Sequence, residues 1–235
     1  QSRKASRVRV FEIGRVFRRD PQAPAGPVAV AGIAQPTRVA GLAWGPADVT
    51  QWGVKERPVD FFDVKGDVES LLAPRVPVFK PVQHPALHPG RAAEVWLDGV
   101  AVGVVGELHP RWRQGYELGQ APVVFELDLA AVLQRPVPEF QPIARHQAVL
   151  RDLAIVVGDA VTHDALVAAL GDDPAGLVRR VTLFDIYRLG DNERSMALRL
   201  ELLDAEQTLT DERIDAAVAA AVARAAERVG GRIRA

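Results

Sequence analysis

The sequence predicts an α+β protein of two domains, and three observations carry that prediction. Gln134 to Pro142 holds three prolines in nine residues between two apolar regions, the composition of an extended linker. Upstream, short strand-type segments dominate, with one clear helical pattern among them. Downstream, the periodicities run strand, helix, strand, strand, helix, strand. The expected division is residues 1–134, a linker over 135–142, and residues 143–235, sizes that suit two domains in a chain of 235 residues.

In the first domain, strands are expected over Val8 to Phe17, Val28 to Ala34, Val39 to Trp44, Ala93 to Leu97 and Val100 to Leu108. Asp98-Gly99 joins the last two, because Asp-Gly supplies the positive φ angles of a two-residue hairpin turn. Phe61, Val64, Val68, Leu71 and Leu72 recur at helical spacing, with Pro74 just beyond the end. Gly66 in that helix costs about 1 kcal/mol against Ala, which predicts a packing reason for it.

In the second domain, Leu150 to Val157 reads as a strand and Thr162 caps a helix to Leu170. Leu177 to Tyr187 is the next strand, and Ser195 to Leu203 alternates with Met196, Leu198, Leu200 and Leu202 on one face. Thr210 caps a long helix whose buried stripe is Ile214, Val218, Ala221, Val222, Ala225 and Val229. Gly230-Gly231 ends it, and Arg232 to Ala235 adds a short last strand. This order is the ferredoxin-like βαββαβ arrangement, whose right-handed crossovers put both helices on one face and leave the other open.

Composition excludes several classes. With no Cys there are no disulfides, no cysteine-ligated metals and no thiol nucleophile, and a reducing, cytoplasmic location is expected. No apolar run reaches the roughly 18 residues of a membrane helix, so no membrane partner is expected. The only lysines are Lys4, Lys55, Lys65 and Lys80, and none ends a phosphate-binding glycine loop. Residues 143–235 carry 12 basic and 15 acidic side chains, so net charge gives no support for nucleic-acid binding.

Few residues offer chemistry. His84 and His88 have helical metal-pair spacing, but Pro85 and Pro89 oppose a helix, and a structural loop is the better reading. His109 precedes Pro110 and suits a cap, while Asp63 and Asp67 read as a solvated carboxylate pair. Gly99, Gly103 and Gly106 lie in a strand pattern, where close packing explains them better than phosphate binding. If Phe184 and Ile186 pack under the helices, Tyr187 and Arg199 lie on the open sheet face, where a ring can stack on a base and a guanidinium can pair with phosphate. The pattern leaves open that both are ordinary surface residues.

Four upstream segments together resemble the C-terminal part of the β subunit of bacterial phenylalanyl-tRNA synthetase. They are Val10-Phe11-Glu12-Ile13-Gly14-Arg15-Val16-Phe17, Asp60 to Glu69 (DFFDVKGDVE), His88-Pro89-Gly90-Arg91-Ala92-Ala93, and Gly103 to Pro110 (GVVGELHP). Leu150-Arg151-Asp152-Leu153-Ala154, Leu183 to Arg188 (LFDIYR) and Thr208-Leu209-Thr210-Asp211 resemble that subunit's ferredoxin-fold anticodon-binding domain. The motifs span nearly the whole chain in order.

The resemblance implies a first domain with the antiparallel sheet of class II synthetase catalytic modules, incomplete at its N-terminus and noncatalytic, bracing the α subunit. Gly14 to Asp20 looks like the opening of the class II second motif, yet the next histidine after Arg18 is His84. Where the third motif needs a glycine-rich strand, none occurs between Gly119 and Gly158. The chain, opening on Gln1, is expected to be a piece of a longer subunit and inactive alone, as part of a phenylalanine-tRNA ligase of two α and two β subunits. That holoenzyme uses ATP and magnesium; no cofactor or metal is expected on this chain, and no catalytic residue. The second domain is expected to bind the anticodon region of tRNA(Phe), with Arg151, Tyr187, Arg188 and Arg199 as candidate contacts. The alternative reading of Arg151 is an internal ion pair with Asp152. Two other readings are a structural module that binds protein rather than RNA, suggested by the −3 charge, and a self-sufficient adenylate-forming enzyme, suggested only by Arg18 and the carboxylates near Asp63.

Overall fold

A computed structural model describes residues 5–140 and 143–234. Gln1, Pro142 and Ala235, which figure in the expectations above, lie outside the described residues. The chain divides into two compact units, Gln1–Pro138 and Glu139–Ala235.

The first unit is built on an antiparallel sheet of six strands: β1 (Val8–Arg15), β4 (Thr37–Trp44), β5 (Val78–Pro81), β6 (Leu87–Leu97), β7 (Val100–Leu108) and β8 (Val123–Asp128). They lie in the order β1-β4-β8-β7-β6-β5, and β2 (Arg18–Arg19) pairs with β3 (Ile33–Ala34) beside them. Helix α1 (Phe61–Leu72) buries Val64, Val68 and Leu72 against Val39, Val95, Val105 and Leu127, one parity of the central strands. Its start is a capping box: Asp60 accepts from the amides of Phe62 and Asp63 while Asp63 accepts from the amide of Asp60. Helix α2 (Pro110–Gly115) opens on His109, whose Nδ1 accepts from the Arg111 amide. Helix α3 (Leu129–Leu133) follows β8 directly, and Arg75 donates to its Ala131 carbonyl. Asp98 and Gly99 both adopt positive φ, as the hairpin between β6 and β7 requires.

Several local expectations change. Of Val28 to Ala34 only Ile33 and Ala34 form a strand; Gly32 turns the chain at φ 74°, and Val28 and Val30 stay exposed. His88 and Pro89 belong to β6 rather than to a loop, and the proline is tolerated because pairing with β7 is irregular between Leu87 and Ala92. Gly66 has no packing reason, since a Cβ there would meet nothing within 4 Å. Gly103 and Gly106 do have one: a Cβ at Gly103 would drive into the Glu126 carbonyl, and one at Gly106 would lie 2.9 Å from the Arg91 carbonyl. Gly99, by contrast, sits in the turn and not in a strand, with nothing within 4 Å of a Cβ placed there, and its positive φ explains it in place of close packing.

The second unit is β9 (Val149–Gly158), α4 (His163–Gly171), β10 (Val178–Arg188), β11 (Glu193–Leu202), α5 (Asp211–Val229) and β12 (Arg232–Ile233). Its sheet order is β10-β11-β9-β12, every pair antiparallel. Thr162 and Thr210 accept from the amides of Ala165 and Arg213 at the two helix starts, and Gly230 closes α5 in the left-handed conformation. Met196, Leu198, Leu200 and Leu202 are fully buried, each contributing roughly 1.5–3 kcal/mol of burial, the first three with Leu166, Leu170, Ala221 and Ala225. Arg224 on α5 donates to the carbonyls of Ala169 and Leu170, satisfying the C-terminal end of α4.

Candidate nucleic-acid interface

The helices cover one face of the second sheet, so the candidate residues are sorted by strand parity. On β9, Leu153, Ile155 and Val157 face the helices, while Leu150, Asp152, Ala154 and Val156 take the other face. On β11, Ser195, Ala197, Arg199 and Glu201 alternate with the buried stripe and share that open face. Arg151 therefore falls on the helix-side parity, where its guanidinium donates to the Leu150 carbonyl. It does not pair with Asp152.

The partner of Asp152 is Arg199, directly opposite in register. The guanidinium forks onto both carboxylate oxygens at 2.7 and 2.8 Å. The hydrogen bond from Arg199 holds the Asp152 carboxyl below the ordinary carboxylate range, and Asp152 in turn raises the guanidinium. Arg199 is thus on the open face as expected, but already occupied.

On β10 the pairing with β11 slips between Leu183 and Asp185, leaving Phe184 as an extra residue. Leu183 still faces the helices opposite Leu198, whereas Asp185, opposite Ala197, and Tyr187, opposite Ser195, face the open side. The bulge places Phe184 on the open side too: its ring lies 5.4 Å from the Arg199 guanidinium and is 54% exposed. The expectation that Phe184 and Ile186 pack under the helices is therefore corrected. Ile186 has the helix-side parity opposite Met196 but stays half-exposed at the sheet edge. Two aromatic rings, not one, occupy the open face.

Arg188 ends β10 opposite Arg194, hence on the helix-side parity and not the open face, its guanidinium 3.9 Å from Asp159. Three further open-face arginines escaped the sequence reading. Arg180 lies 3.8 Å from Glu201, and Arg232 pairs with Glu193 at 2.7 Å. Arg234, just beyond β12, sets its guanidinium 5.2 Å from the centre of the Tyr187 ring. Arg180 follows a register shift in β10, and the placement of Arg232 and Arg234 rests on the register of a strand two residues long, which no periodicity can reveal.

In the first unit, Arg38, Ala40, Leu42, Val124 and Glu126 alternate with the core residues and line an open cup of about 880 Å³ on the face opposite α1. Its cations are answered by carboxylates: Arg18 lies 3.8 Å from Glu126, and Arg38 lies 3.9 Å from Glu126 and 4.0 Å from Asp128. Glu12 and Glu94 add negative charge to the lining. A nucleotide suits this lining poorly, because its phosphates would meet the three carboxylates of Glu12, Glu94 and Glu126 beside only two arginines, each within 4 Å of a carboxylate. Asp63 is held below its ordinary range by Arg57, with the Asp60 amide assisting against burial, and Asp67 pairs with Arg9. Both carboxylates serve the fold.

Residues 1–129 match the family model described as the phenylalanyl tRNA synthetase beta chain CLM domain, and residues 144–234 match that of the ferredoxin-fold anticodon binding domain. This chain belongs to the phenylalanyl-tRNA synthetase beta chain family. Among similar proteins are the phenylalanine–tRNA ligase beta subunits of Ralstonia nicotianae, 50% identical across the whole chain, and of Cupriavidus pinatubonensis, 49% identical over 99% of it. That of Chromobacterium violaceum is 46% identical over 99% of the chain. The chain spans about 30% of the length of these curated relatives. In this family member, the described residues contain no helix long and apolar enough to cross a membrane.

Proposed function

We propose that this chain is the part of a phenylalanine–tRNA ligase β subunit that braces the catalytic α subunit with its first unit and contacts the anticodon region of tRNA(Phe) with its second. The observation that carries the tRNA reading is the open sheet face holding Phe184 and Tyr187, 54% and 57% exposed, among arginines. Unstacked loop bases find π surfaces there, at roughly 1–3 kcal/mol per stacked base, and guanidinium groups within reach of the backbone phosphates. Tyr187 and Arg199 keep their candidate roles, whereas Arg151 and Arg188, both on the helix-side parity, are the weaker candidates of the four.

In this reading the chemistry of ligation, with its ATP and magnesium, belongs to the α subunits of a complex of two α and two β chains in the cytoplasm. The carboxylate-lined cup of the first unit supports a bracing rather than a catalytic role. The test is aminoacylation by the complete complex carrying Tyr187→Ala. Charging should lose about tenfold or more in kcat/KM for tRNA, as a lost stack implies, while phenylalanine-dependent pyrophosphate exchange stays unchanged. Unaltered charging kinetics would refute the tRNA contact.

A second reading, in which the sheet face binds protein, is favoured by the −3 charge of residues 143–235 and by the carboxylate partners of Arg180, Arg199 and Arg232. It predicts no salt-dependent RNA binding.

A further inference from the structure

Tyr187 and Arg234 come from opposite ends of the sheet. Tyr187 stands opposite Ser195 on β11, Ser195 opposite Val156 on β9, and Val156 opposite Arg232 on β12. Arg234 lies two residues beyond Arg232, hence on the same face, with its amide bonded to the Ala154 carbonyl at 2.8 Å. Three strand spacings of about 4.8 Å separate the two edges, so the side chains meet only by lying along the sheet toward each other. Ser195 and Val156, which stand between the two edges on the open face, are 4% and 1% exposed.

The charge environment sets Arg234 apart. Arg180, Arg199 and Arg232 on the same face each face a carboxylate within 4 Å. Arg188 at the end of β10 does so too. Among the described residues no carboxylate pairs with Arg234, whose guanidinium sits over the Tyr187 ring. An arginine stacked on an aromatic face keeps its N–H donors in the plane of the guanidinium, free to fork onto a phosphate. Arg199 would have to release Asp152 to do the same.

We propose that Arg234 is the phosphate-binding cation of the open face and the positioning residue of Tyr187. It holds the ring across the sheet, and it meets the phosphate of the nucleotide whose base stacks there. This rests on the proposed tRNA reading and goes further by naming the residue that provides the electrostatic contact, one that sequence periodicity does not single out.

The chain has two tyrosines, Tyr116 and Tyr187, so 3-fluorotyrosine labelling yields one ¹⁹F reporter in each unit. The experiment titrates the whole chain, wild type and variants, with the anticodon stem-loop of tRNA(Phe) at several salt concentrations. Arg234→Gln should shift the Tyr187 signal and leave that of Tyr116 in place. It should weaken stem-loop binding about five- to tenfold at low salt and reduce the log K against log salt slope by about 0.7, one single-strand phosphate. Arg234→Lys should retain the slope, and Arg199→Ala should lower it less than Arg234→Gln does. Wild-type affinity and slope in Arg234→Gln would overturn the inference while leaving the tRNA reading intact. Absence of stem-loop binding by the wild-type chain would overturn both.

Discussion

Asp152 decides how much of the open face is electrostatically available. By taking both donors of the Arg199 fork, it turns the most central guanidinium of the sheet into an internal pair. Asp152→Asn should therefore increase stem-loop affinity and steepen its salt dependence, measured by titration at two ionic strengths; an unchanged slope would mean that Arg199 stays off the RNA. Glycines provide an independent check at the same scale. Gly66→Ala should stabilise the first unit by about 0.5–1 kcal/mol, because the helix gains propensity and the methyl group meets open space. Gly103→Ala should destabilise it by about 1–3 kcal/mol, because the methyl group meets the backbone of Glu126 and Leu127 on the neighbouring strand. Chemical denaturation midpoints of the two variants should move in opposite directions.

At the scale of elements, α5 is tied to the turn before it by Asp204. That carboxylate accepts from the Glu206 amide and pairs with Arg213 at 2.7 Å, which lowers its pKa to about 2. A carboxyl depressed in the folded state stabilises above its unfolded pKa of about 3.9, and that contribution is lost as pH falls from there toward about 2. Asp204→Asn should lower the melting temperature at pH 6, and the gap to wild type should close as the pH falls through that window. A gap independent of pH would show that the carboxylate charge is not what matters. The order of elements in the second unit was legible where an element keeps one period, as in the 2-residue alternation of Met196 to Leu202 and the capped helix from Thr210. Phe184 was misread because the bulge after Leu183 inserts a residue and reverses the parity that the pattern assumed. Arg234 was invisible because its position depends on β12 pairing with β9, a long-range register carried by two residues. In the first unit the glycines at 103 and 106 were read correctly from their strand context, whereas Gly66 was credited with a packing role that only the space around it could deny.

At the scale of the whole molecule, two compact units carry two different kinds of surface. The first presents a sheet face whose arginines are answered by carboxylates, unsuited to nucleotide phosphates. The second presents two aromatic rings, arginines neutralised one by one, and one arginine stacked on a ring instead. Motif order along the chain was enough to recognise the family, since seven short segments occur in sequence across both units. The site was less legible, because its members come from β9, β10, β11 and the end of β12 and meet only through sheet order. The central claim is that this face binds the anticodon region of tRNA(Phe), and its most direct test is binding of the intact chain to cognate and noncognate anticodon stem-loops across a salt series. The account predicts tighter binding to the cognate loop, with log K falling by about 0.7 per log unit of salt for each phosphate engaged. Equal affinity for both loops, or binding that ignores salt, would contradict it.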